Sequence, residues 1–291
     1  MELLVSGKSA LVSVGRIPHK TTVDPSISRR LAQTKFRKLS AALFRLYPVK
    51  RGVATIQDFD EDLAIDLDRA SYISSAIYWG GYHSLSTVRF LRSFLQPDMT
   101  FADIGANIGE LTLIAAKRLT SGKALAFEPM PAVFALLSHN VAINHFGRVI
   151  LHNIGLFDRD AQLPLYVKPD NPHGTTNHGV TSLFSTGADR QERSVPLLRF
   201  DEVAEASRLE RLDLIKIDVE GAEMMVLRGA KESIRRFRPV MIIEISEANF
   251  QRAGYSVTEF FQYLHSIGYD PQPVQAGESL SAECDALCIP R

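Results

Sequence analysis

Cysteine is scarce in this sequence, and its two cysteines lie close together near the carboxyl end. Cys284 and Cys288 are too few for a disulfide framework. A single C-x-x-x-C pair also does not supply the four ligands of a structural zinc site. Few cysteines are typical of proteins that stay reduced, and we therefore expect a cytoplasmic protein.

Long apolar runs and a surplus of charge of one sign are also absent. No run of about 18 apolar residues occurs, so we expect no membrane-spanning helix. The amino-terminal segment MELLVSGKSALVSVG lacks the charged start and the long apolar stretch of a signal peptide. Lysine plus arginine number 33 and aspartate plus glutamate number 33, and this balance gives no support for nucleic-acid binding.

Apolar residues, by contrast, are plentiful, and their spacing alternates between the periods of strands and helices. They make up 45% of the 291 residues, which is enough for a sizeable core. From residue 101 onwards, predicted strands and helices alternate, which indicates an α/β fold with a doubly wound, mostly parallel sheet. We divide the chain into an N-terminal extension, residues 1–69, and a main domain, residues 70–291.

The predicted extension begins with an irregular or β-rich segment. Residues 28–51 then form a predicted basic amphipathic helix, and residues 53–70 fit two short strands around an acidic turn. We expect the helix to pack its apolar face on its own domain. Contact with an acidic partner, with a membrane surface or with a second subunit in a homodimer is the alternative.

The segment that opens the main domain is predicted to be helical at both ends and broken at Gly80–Gly81. Two glycines in an apolar, aromatic stretch suggest a loop beside a ligand. Tyr72, Trp79, Tyr82 and His83 could then line the mouth of a binding site, or Tyr72 and Trp79 could serve only in packing.

The stretch FADIGANIG, residues 101–109, predicts a strand, a tight turn and the start of a helix. Gly105 and Gly109 lack a Cβ atom, which lets the backbone turn sharply or approach a ligand. The free N–H groups at the start of the following helix face the same place. This turn is therefore the predicted centre of a ligand site.

The turn lacks the central glycine of a dinucleotide-binding fingerprint, because Asn107 stands in its place. Asp103, at the end of its strand, can accept hydrogen bonds from an ammonium group. Glu128 ends the next strand, 23 residues after Gly105, where a carboxylate binds both hydroxyls of an adenosine ribose. An N-cap role ahead of Pro129 is the alternative. The combination predicts S-adenosylmethionine as cofactor, with S-adenosylhomocysteine as product.

Acidic side chains stand at the predicted carboxyl ends of four strands, where ligands bind in open α/β sheets: Asp103, Glu128, Asp218 and Glu244. Glu220 follows Asp218 at strand spacing, so we expect both to face the site. They could act as bases or as ligands of Mg²⁺, and we favour the metal-free role of Asp218 or Glu220 as a base. Glu223 is expected to stabilise the start of its own helix.

Residues 169–190 are predicted to form a long polar loop over the acceptor pocket. Its His173 and His178 could supply the base that a hydroxyl acceptor needs, or could simply be solvated.

Six blocks of sequence between residues 103 and 230 fit one known pattern: DIGANIG (103–109), FEP (127–129), HNIG (152–155), VTSL (180–183), LLRFDEV (197–203) and DLIKIDVEGAEMMVLRGA (213–230). They resemble the FkbM-type S-adenosylmethionine-dependent methyltransferases, and the resemblance extends over residues 70 to about 247. Its most specific part is the IKIDVEGAE–LRGA block.

The resemblance implies a class I (Rossmann-like) methyltransferase fold and O-methylation of a hydroxyl on a sugar, a glycan or a secondary metabolite. It also implies that Asn153 and Ile154 flank the adenine. The predicted catalytic residues are Asp218, Glu220, His173 and His178. The predicted cofactor-binding residues are Tyr72, Asp103, Gly105, Ala106, Asn107, Gly109, Glu128, Pro129, Asn153, Ile154 and Asp218. The family often has Tyr-Glu where this chain has Tyr82-His83, so an acid role at this position does not carry over.

Two other classes of protein are alternatives. A nicotinamide-dependent oxidoreductase uses a similar sheet, but Asn107 argues against it. A non-catalytic protein that binds a cofactor or a partner is the second, and the carboxylates of residues 218–223 argue against it.

Overall fold

The computed structural model describes residues 2–3, 12–13, 52–68, 71–167, 181–185, 187, 189–274 and 279–291. The predicted basic helix and the loop histidines His173 and His178 lie outside these residues. The strands of the first half are β1 (Glu2–Leu3), β2 (Val12–Ser13), β3 (Val53–Phe59), β4 (Leu63–Asp68), β5 (Thr100–Ile104), β6 (Lys123–Phe127) and β7 (Val149–His152). Those of the second half are β8 (Gly155–Leu156), β9 (Ala161–Val167), β10 (Thr181–Ser182), β11 (Arg190–Leu198), β12 (Leu214–Ile217), β13 (Val240–Ser246), β14 (Tyr269–Pro273) and β15 (Glu283–Pro290).

Most of the described helices follow the alternating order that the sequence predicts. They are α1 (Tyr72–Gly80), α2 (Leu85–Phe94), α3 (Glu110–Arg118), α4 (Pro131–Ile143), α5 (Phe200–Ala206), α6 (Glu223–Gly229), α7 (Lys231–Phe237), α8 (Glu247–Ala253) and α9 (Val257–Ser266). None of these helices has the length and apolar character that crossing a membrane requires.

A seven-stranded sheet in the order β14-β15-β13-β12-β5-β6-β7 forms the centre of the fold. Strands β13, β12, β5, β6 and β7 pair in parallel, and β15 pairs antiparallel with both β13 and β14. From β5 the chain proceeds outward to β7 and then returns to place β12 on the other side. The strand order therefore reverses between β5 and β12, which is where ligands bind in such sheets. The predicted fold class is confirmed.

The central strands are apolar because helices cover both of their faces. Every residue of β5 and of β12 is buried. Along β5, Phe101 packs in one core cluster and Ala102 in the other, and Leu214 and Ile215 alternate in the same way along β12. This is the period of two that a sheet with two covered faces requires.

A second, four-stranded sheet in the order β10-β9-β11-β8 lies beside the carboxyl ends of the main strands. The sequence suggests that residues 155–167 form a pair of strands, and this pairing is wrong. Strand β11 lies between β8 and β9, parallel to β8 and antiparallel to β9. The turn around Asp158 can be recognised in the sequence. The insertion of β11, which comes later in the chain, between β8 and β9 cannot.

The sequence of residues 222–237 predicts a single helix, but the structure has two, α6 and α7. Gly229 is the last residue of α6, and a larger residue would not fit there, because a Cβ atom would lie 1.9 Å from the backbone oxygen of Phe157. The carboxylate of Asp201 accepts hydrogen bonds from the N–H groups of Glu232 (3.0 Å) and Ser233 (2.8 Å) at the new helix start. Tertiary contacts thus break a helix that the apolar period alone would continue.

The hairpin of β3 and β4 confirms the two predicted strands and is fastened to α4 by two asparagines. Asn140 accepts a hydrogen bond from the N–H of Asp66 (2.8 Å) and donates to its backbone oxygen (3.1 Å). Asn144 makes the same pair of bonds with Ala64, at 2.8 and 2.7 Å. Ile65 and Leu67 are fully buried between these contacts. The domain boundary after residue 69 stays a prediction.

Candidate active site

A cavity of about 330 Å³ opens at the carboxyl ends of β5, β6, β12 and β13, at the reversal of strand order. Of the predicted site residues, those that line it are Tyr72, Asp103, Gly105, Ala106, Asn107, Glu128, Pro129, Ile154, Asp218 and Glu220. Gly109 and Asn153 do not line it. The structure therefore brings most of the predicted residues together, and their roles toward a ligand stay predictions.

The glycine turn is shaped by contacts with both neighbouring strands. The N–H groups of Gly105 (3.0 Å) and Ala106 (2.9 Å) both donate to the backbone oxygen of Phe127. Gly105 has a φ of +82°, and a Cβ atom on it would lie 1.9 Å from the backbone oxygen of Asp218. Gly109 instead packs on α4, since a Cβ atom there would lie 2.8 Å from Leu137. Gly109 therefore allows close packing against α4 beside the site.

Asp103 and Glu128 are buried carboxyl groups with partners inside the chain. Asp103 accepts a hydrogen bond from the hydroxyl of Thr112 at 2.5 Å, and burial raises its pKa to about 6. Glu128 accepts from the N–H groups of Asn107 (3.1 Å) and Met130 (2.8 Å), and burial raises its pKa to about 7. Both groups therefore titrate close to neutral pH.

Asn153 supports this part of the cavity from behind. Its side-chain amide donates to the backbone oxygens of Glu128 (2.8 Å) and Pro129 (3.2 Å). Ile154, the next residue, lines the cavity itself. The two predicted adenine neighbours thus differ, because one positions backbone and the other provides apolar surface.

Glu110 is a cavity residue that the sequence analysis missed. Its carboxylate accepts hydrogen bonds from the N–H groups of His83 (2.7 Å) and Ser84 (3.3 Å), and burial raises its pKa to about 7. The ring of His83 stands edge-on to Tyr72, and both residues line the cavity. The available signal was an acid directly after the last glycine of the turn, which also suits an ordinary helix start.

A buried lysine stands among carboxylates at the end of β12. Lys216 Nζ lies 3.3 Å from Asp218 Oδ2 and 3.4 Å from Asp285 Oδ1. The hydroxyl of Thr87 donates to the other oxygen of Asp285 at 2.6 Å. Burial opposes the charged form of Lys216, but the two carboxylates outweigh it and hold its pKa above the usual value.

Glu220 and Glu223 lie in the turn that follows. Glu220 has a φ of +54°, so turn geometry and not strand alternation brings it to the cavity. Its Oε2 accepts a hydrogen bond from the amide of Asn249 at 2.9 Å. Glu223 accepts from the N–H groups of Val219 and Gly221, each at 3.0 Å. Glu223 thus stabilises the turn ahead of its own helix.

Glu244 lies on β13, one position beyond the register pair Ile243–Ile217, and so beside Asp218, which directly follows β12. It lines the cavity, and its buried Oε2 has no hydrogen-bond partner among the described residues. The negative charge of Asp218, followed by burial, raises the pKa of Glu244 well above its usual value.

The family model described as Methyltransferase FkbM domain matches residues 103–271, which include nearly all of these groups. The chain belongs to the FkbM methyltransferase family. It is an S-adenosylmethionine-dependent methyltransferase.

Three curated relatives are similar to about half of this FkbM methyltransferase. It is 32% identical to Methyltransferase 1 of Beauveria bassiana over 52% of this chain and 67% of that protein. It is 30% identical to the 31-O-demethyl-FK506 methyltransferase FkbM of Streptomyces tacrolimicus over 48% of this chain and 62% of that protein. It is 27% identical to the hexuronic acid methyltransferase AglP of Haloferax volcanii over 53% of this chain and 59% of that protein.

The charges of the cavity fit the cofactor of the family. S-adenosylmethionine carries a positive sulfonium and an ammonium group, and carboxylates attract both. Among the described residues, one lysine, Lys216, lines the cavity together with six carboxyl side chains: Asp103, Glu110, Glu128, Asp218, Glu220 and Glu244.

The described residues contain no group of three or more His, Cys, Asp or Glu side chains arranged to hold a metal ion.

Proposed function

We propose that this FkbM methyltransferase transfers a methyl group to a hydroxyl oxygen of an uncharged sugar or secondary metabolite. The observation that carries the proposal is the cavity at the strand reversal, where carboxyl groups that titrate near neutral pH surround a space for a cation. The names of two relatives support a hydroxyl on a sugar or a secondary metabolite, since one names a hexuronic acid and the other a 31-O position. The preference for an uncharged acceptor rests on the carboxylates of this cavity alone.

In this proposal, the first two strand ends hold the cofactor. Asp103 binds the ammonium group, the backbone of Gly105 to Asn107 lies along the amino-acid tail, and Glu128 binds the ribose hydroxyls. Ile154 and Pro129 contact the adenine, with Asn153 fixing their backbone and Gly109 fixing the turn. Tyr72 closes the mouth. When bound, S-adenosylmethionine supplies an electrophilic methyl group on positively charged sulfur.

The acceptor then enters beside β12 and the second sheet. Asp218 and Glu220 lie at this end of the cavity, and Leu165, Leu183 and Leu197 form its apolar wall. The excess of carboxylates favours a neutral or cationic acceptor over an acidic one. His173 and His178 remain the alternative source of a base, and the reaction is proposed to need no Mg²⁺.

Two measurements test this proposal in sequence. Calorimetry should detect binding of S-adenosylhomocysteine and no binding of NAD, because Asn107 replaces the central dinucleotide glycine. Labelled S-adenosylmethionine is then incubated with matched acceptors, such as methyl glucoside and methyl glucuronide. We expect label in an alkali-stable methyl ether and higher turnover of the uncharged acceptor. Label on nitrogen, or a preference for the glucuronide, would overturn the proposal.

A further inference from the structure

One carboxyl group of the cavity differs from all the others in its hydrogen bonding. Five accept hydrogen bonds from this chain: Asp103 from Thr112, Glu110 from His83 and Ser84, Glu128 from Asn107 and Met130, Asp218 from Lys216, and Glu220 from Asn249. Each of these five is therefore held in place by the protein. Glu244 alone has a buried oxygen that no described donor reaches.

A buried acceptor without a donor is unfavourable, because the oxygen has lost water and gained nothing in exchange. A ligand that supplies the missing donor is one reason for such an atom to be retained, and a catalytic role is another. The free oxygen of Glu244 belongs to a cavity-lining side chain beside Asp218, at the end where the acceptor is proposed to bind. A hydroxyl group is the donor that the proposed acceptor offers.

We propose that Glu244 is the catalytic base that accepts the proton of the acceptor hydroxyl; this inference rests on the proposed function. The acceptor oxygen forms its bond to the methyl carbon while the carbon–sulfur bond breaks and its electron pair passes to sulfur. The hydroxyl proton moves to the carboxylate of Glu244. Charge balances, because a carboxylate and a sulfonium become a carboxylic acid and a neutral thioether.

The charges around Glu244 explain how bound cofactor favours the carboxylate form that acts as the base. The charged groups around it come from three places. They are Lys216 on β12 with Asp218 just after it, Glu220 and Glu223 in and after the turn, and Asp285, the register partner of Glu244 on β15. Acidic neighbours outnumber the one lysine, and they disfavour the charged form of the resting side chain. A positive sulfonium nearby favours the carboxylate. Cofactor binding therefore shifts Glu244 toward the carboxylate, which is the form that acts as the base, and releases protons in doing so.

Proton release tests the inference without an acceptor. S-adenosylmethionine carries the sulfonium charge and S-adenosylhomocysteine does not, so we expect the former to release more protons on binding to the wild-type protein. Calorimetry at pH 7 in two buffers of different ionisation enthalpy measures this difference. We expect Glu244→Gln to lose most of it while binding S-adenosylhomocysteine within threefold of wild type. Glu247→Gln, three residues along on exposed surface, should keep the whole difference.

Several results would overturn the inference. The difference in proton release between the two ligands could persist in Glu244→Gln. It could instead vanish in Glu220→Gln, which would make Glu220 the base. If Glu244→Gln does not fold, carbon-13 NMR of labelled glutamate carboxyls in the wild-type protein decides the question. The Glu244 signal is assigned as the resonance that is missing from the spectrum of Glu244→Asp. Its chemical shift must move toward the carboxylate value when S-adenosylmethionine binds and must not do so with S-adenosylhomocysteine. Any other result would overturn the inference.

Once an acceptor is known, measurements of turnover provide a second test of the role of Glu244. We expect Glu244→Gln to lower kcat at least 100-fold with an unchanged Kd for the cofactor, as loss of a general base does. A smaller loss would overturn the inference while leaving the methyltransferase activity established. Absence of cofactor binding in the wild-type protein would instead defeat the proposed function.

Discussion

The Cα of Gly105 faces the backbone oxygen of Asp218 so closely that a Cβ atom would lie 1.9 Å from it. The glycine turn and the end of β12 are therefore pressed together across the strand reversal. Since Asp218 stands at the proposed acceptor end and Gly105 at the cofactor end, this contact sets the spacing between the two halves of the site.

Gly105→Ala should therefore abolish cofactor binding and lower the free energy of unfolding by roughly 3 kcal/mol, because it combines backbone strain with a clash. Gly187→Ala is the matched control, since Gly187 has a similar φ of +86° and open space around its Cβ position. We expect that variant to lose only about 1 kcal/mol. Urea denaturation and calorimetry measure both effects. Equal losses in the two variants would contradict the role of the contact.

Glu128→Ala should weaken binding of S-adenosylhomocysteine at least tenfold, because charge-assisted hydrogen bonds contribute roughly 1.5–3 kcal/mol each. Its carboxylate also orders the N–H groups of Asn107 and Met130, so Glu128→Gln, which keeps one acceptor oxygen, should lose less. Calorimetry gives the affinities, and circular dichroism confirms that the fold survives. Glu205→Ala, on the exposed side of α5, serves as control; unchanged affinity in Glu128→Ala would refute the ribose role.

Affinity for S-adenosylmethionine should rise with pH from about 6 to about 8 and then level off. Burial raises the pKa of Asp103 to about 6 and those of Glu110 and Glu128 to about 7. Below these values the groups are protonated and attract a cation less strongly. Calorimetry across this range measures the slope, which should be shallower in Glu110→Gln. A flat profile in the wild-type protein would contradict the prediction.

The same pKa shifts affect the stability of the cofactor-free protein in the opposite direction. A buried acid with a raised pKa keeps its proton in the folded state at pH values where the unfolded chain has released it. Its contribution to stability is therefore present below the unfolded pKa of about 4 and is lost as pH rises through 6 to 7. Urea denaturation at several pH values should show the loss, and bound S-adenosylmethionine should diminish it.

Methyl transfer should survive excess EDTA, because we assign proton removal to a carboxylate and not to a metal-bound oxygen. The measurement is turnover with EDTA and after Mg²⁺ is added back, with the EDTA salt of Mg²⁺ as the control for chelator effects. Activity that disappears and then returns with Mg²⁺ would make the carboxylates at residues 218–220 metal ligands.

The central part of this fold could be predicted because its signals are local. Strand β6 (Lys123–Phe127) ends just before Glu128, as the sequence predicts, since an apolar run there ends at a charged residue. Strand β14 and helices α5 and α8 were missed, because their short sequences carry little periodicity. The strand pairing around Asp158 was wrong because β11 comes from a distant part of the chain. Sequence periodicity specifies single elements far better than it specifies their neighbours.

In the candidate site, too, single residues could be predicted from the sequence, whereas the contacts between them could not. Asp103, Glu128 and Asp218 are recognisable from the sequence because each follows a predicted strand, and Glu244 belongs to that set. The missing partner of Glu244 could not be foreseen, because it depends on which side chains from other strands and turns reach the same space. Glu110 was overlooked for a related reason, since its partners come from a loop 26 and 27 residues earlier in the chain.

The asparagine contacts that fasten the β3–β4 hairpin to α4 also determine what this hairpin can join. A strand at the edge of a sheet carries unpaired N–H and C=O groups, and these invite a strand of another molecule to add to it. On β4 the backbone N–H and C=O groups of Ala64 and Asp66 that point away from β3 are hydrogen-bonded to the side chains of Asn144 and Asn140, respectively. The helix thereby closes this edge, and the hairpin is protected from edge-to-edge aggregation along β4.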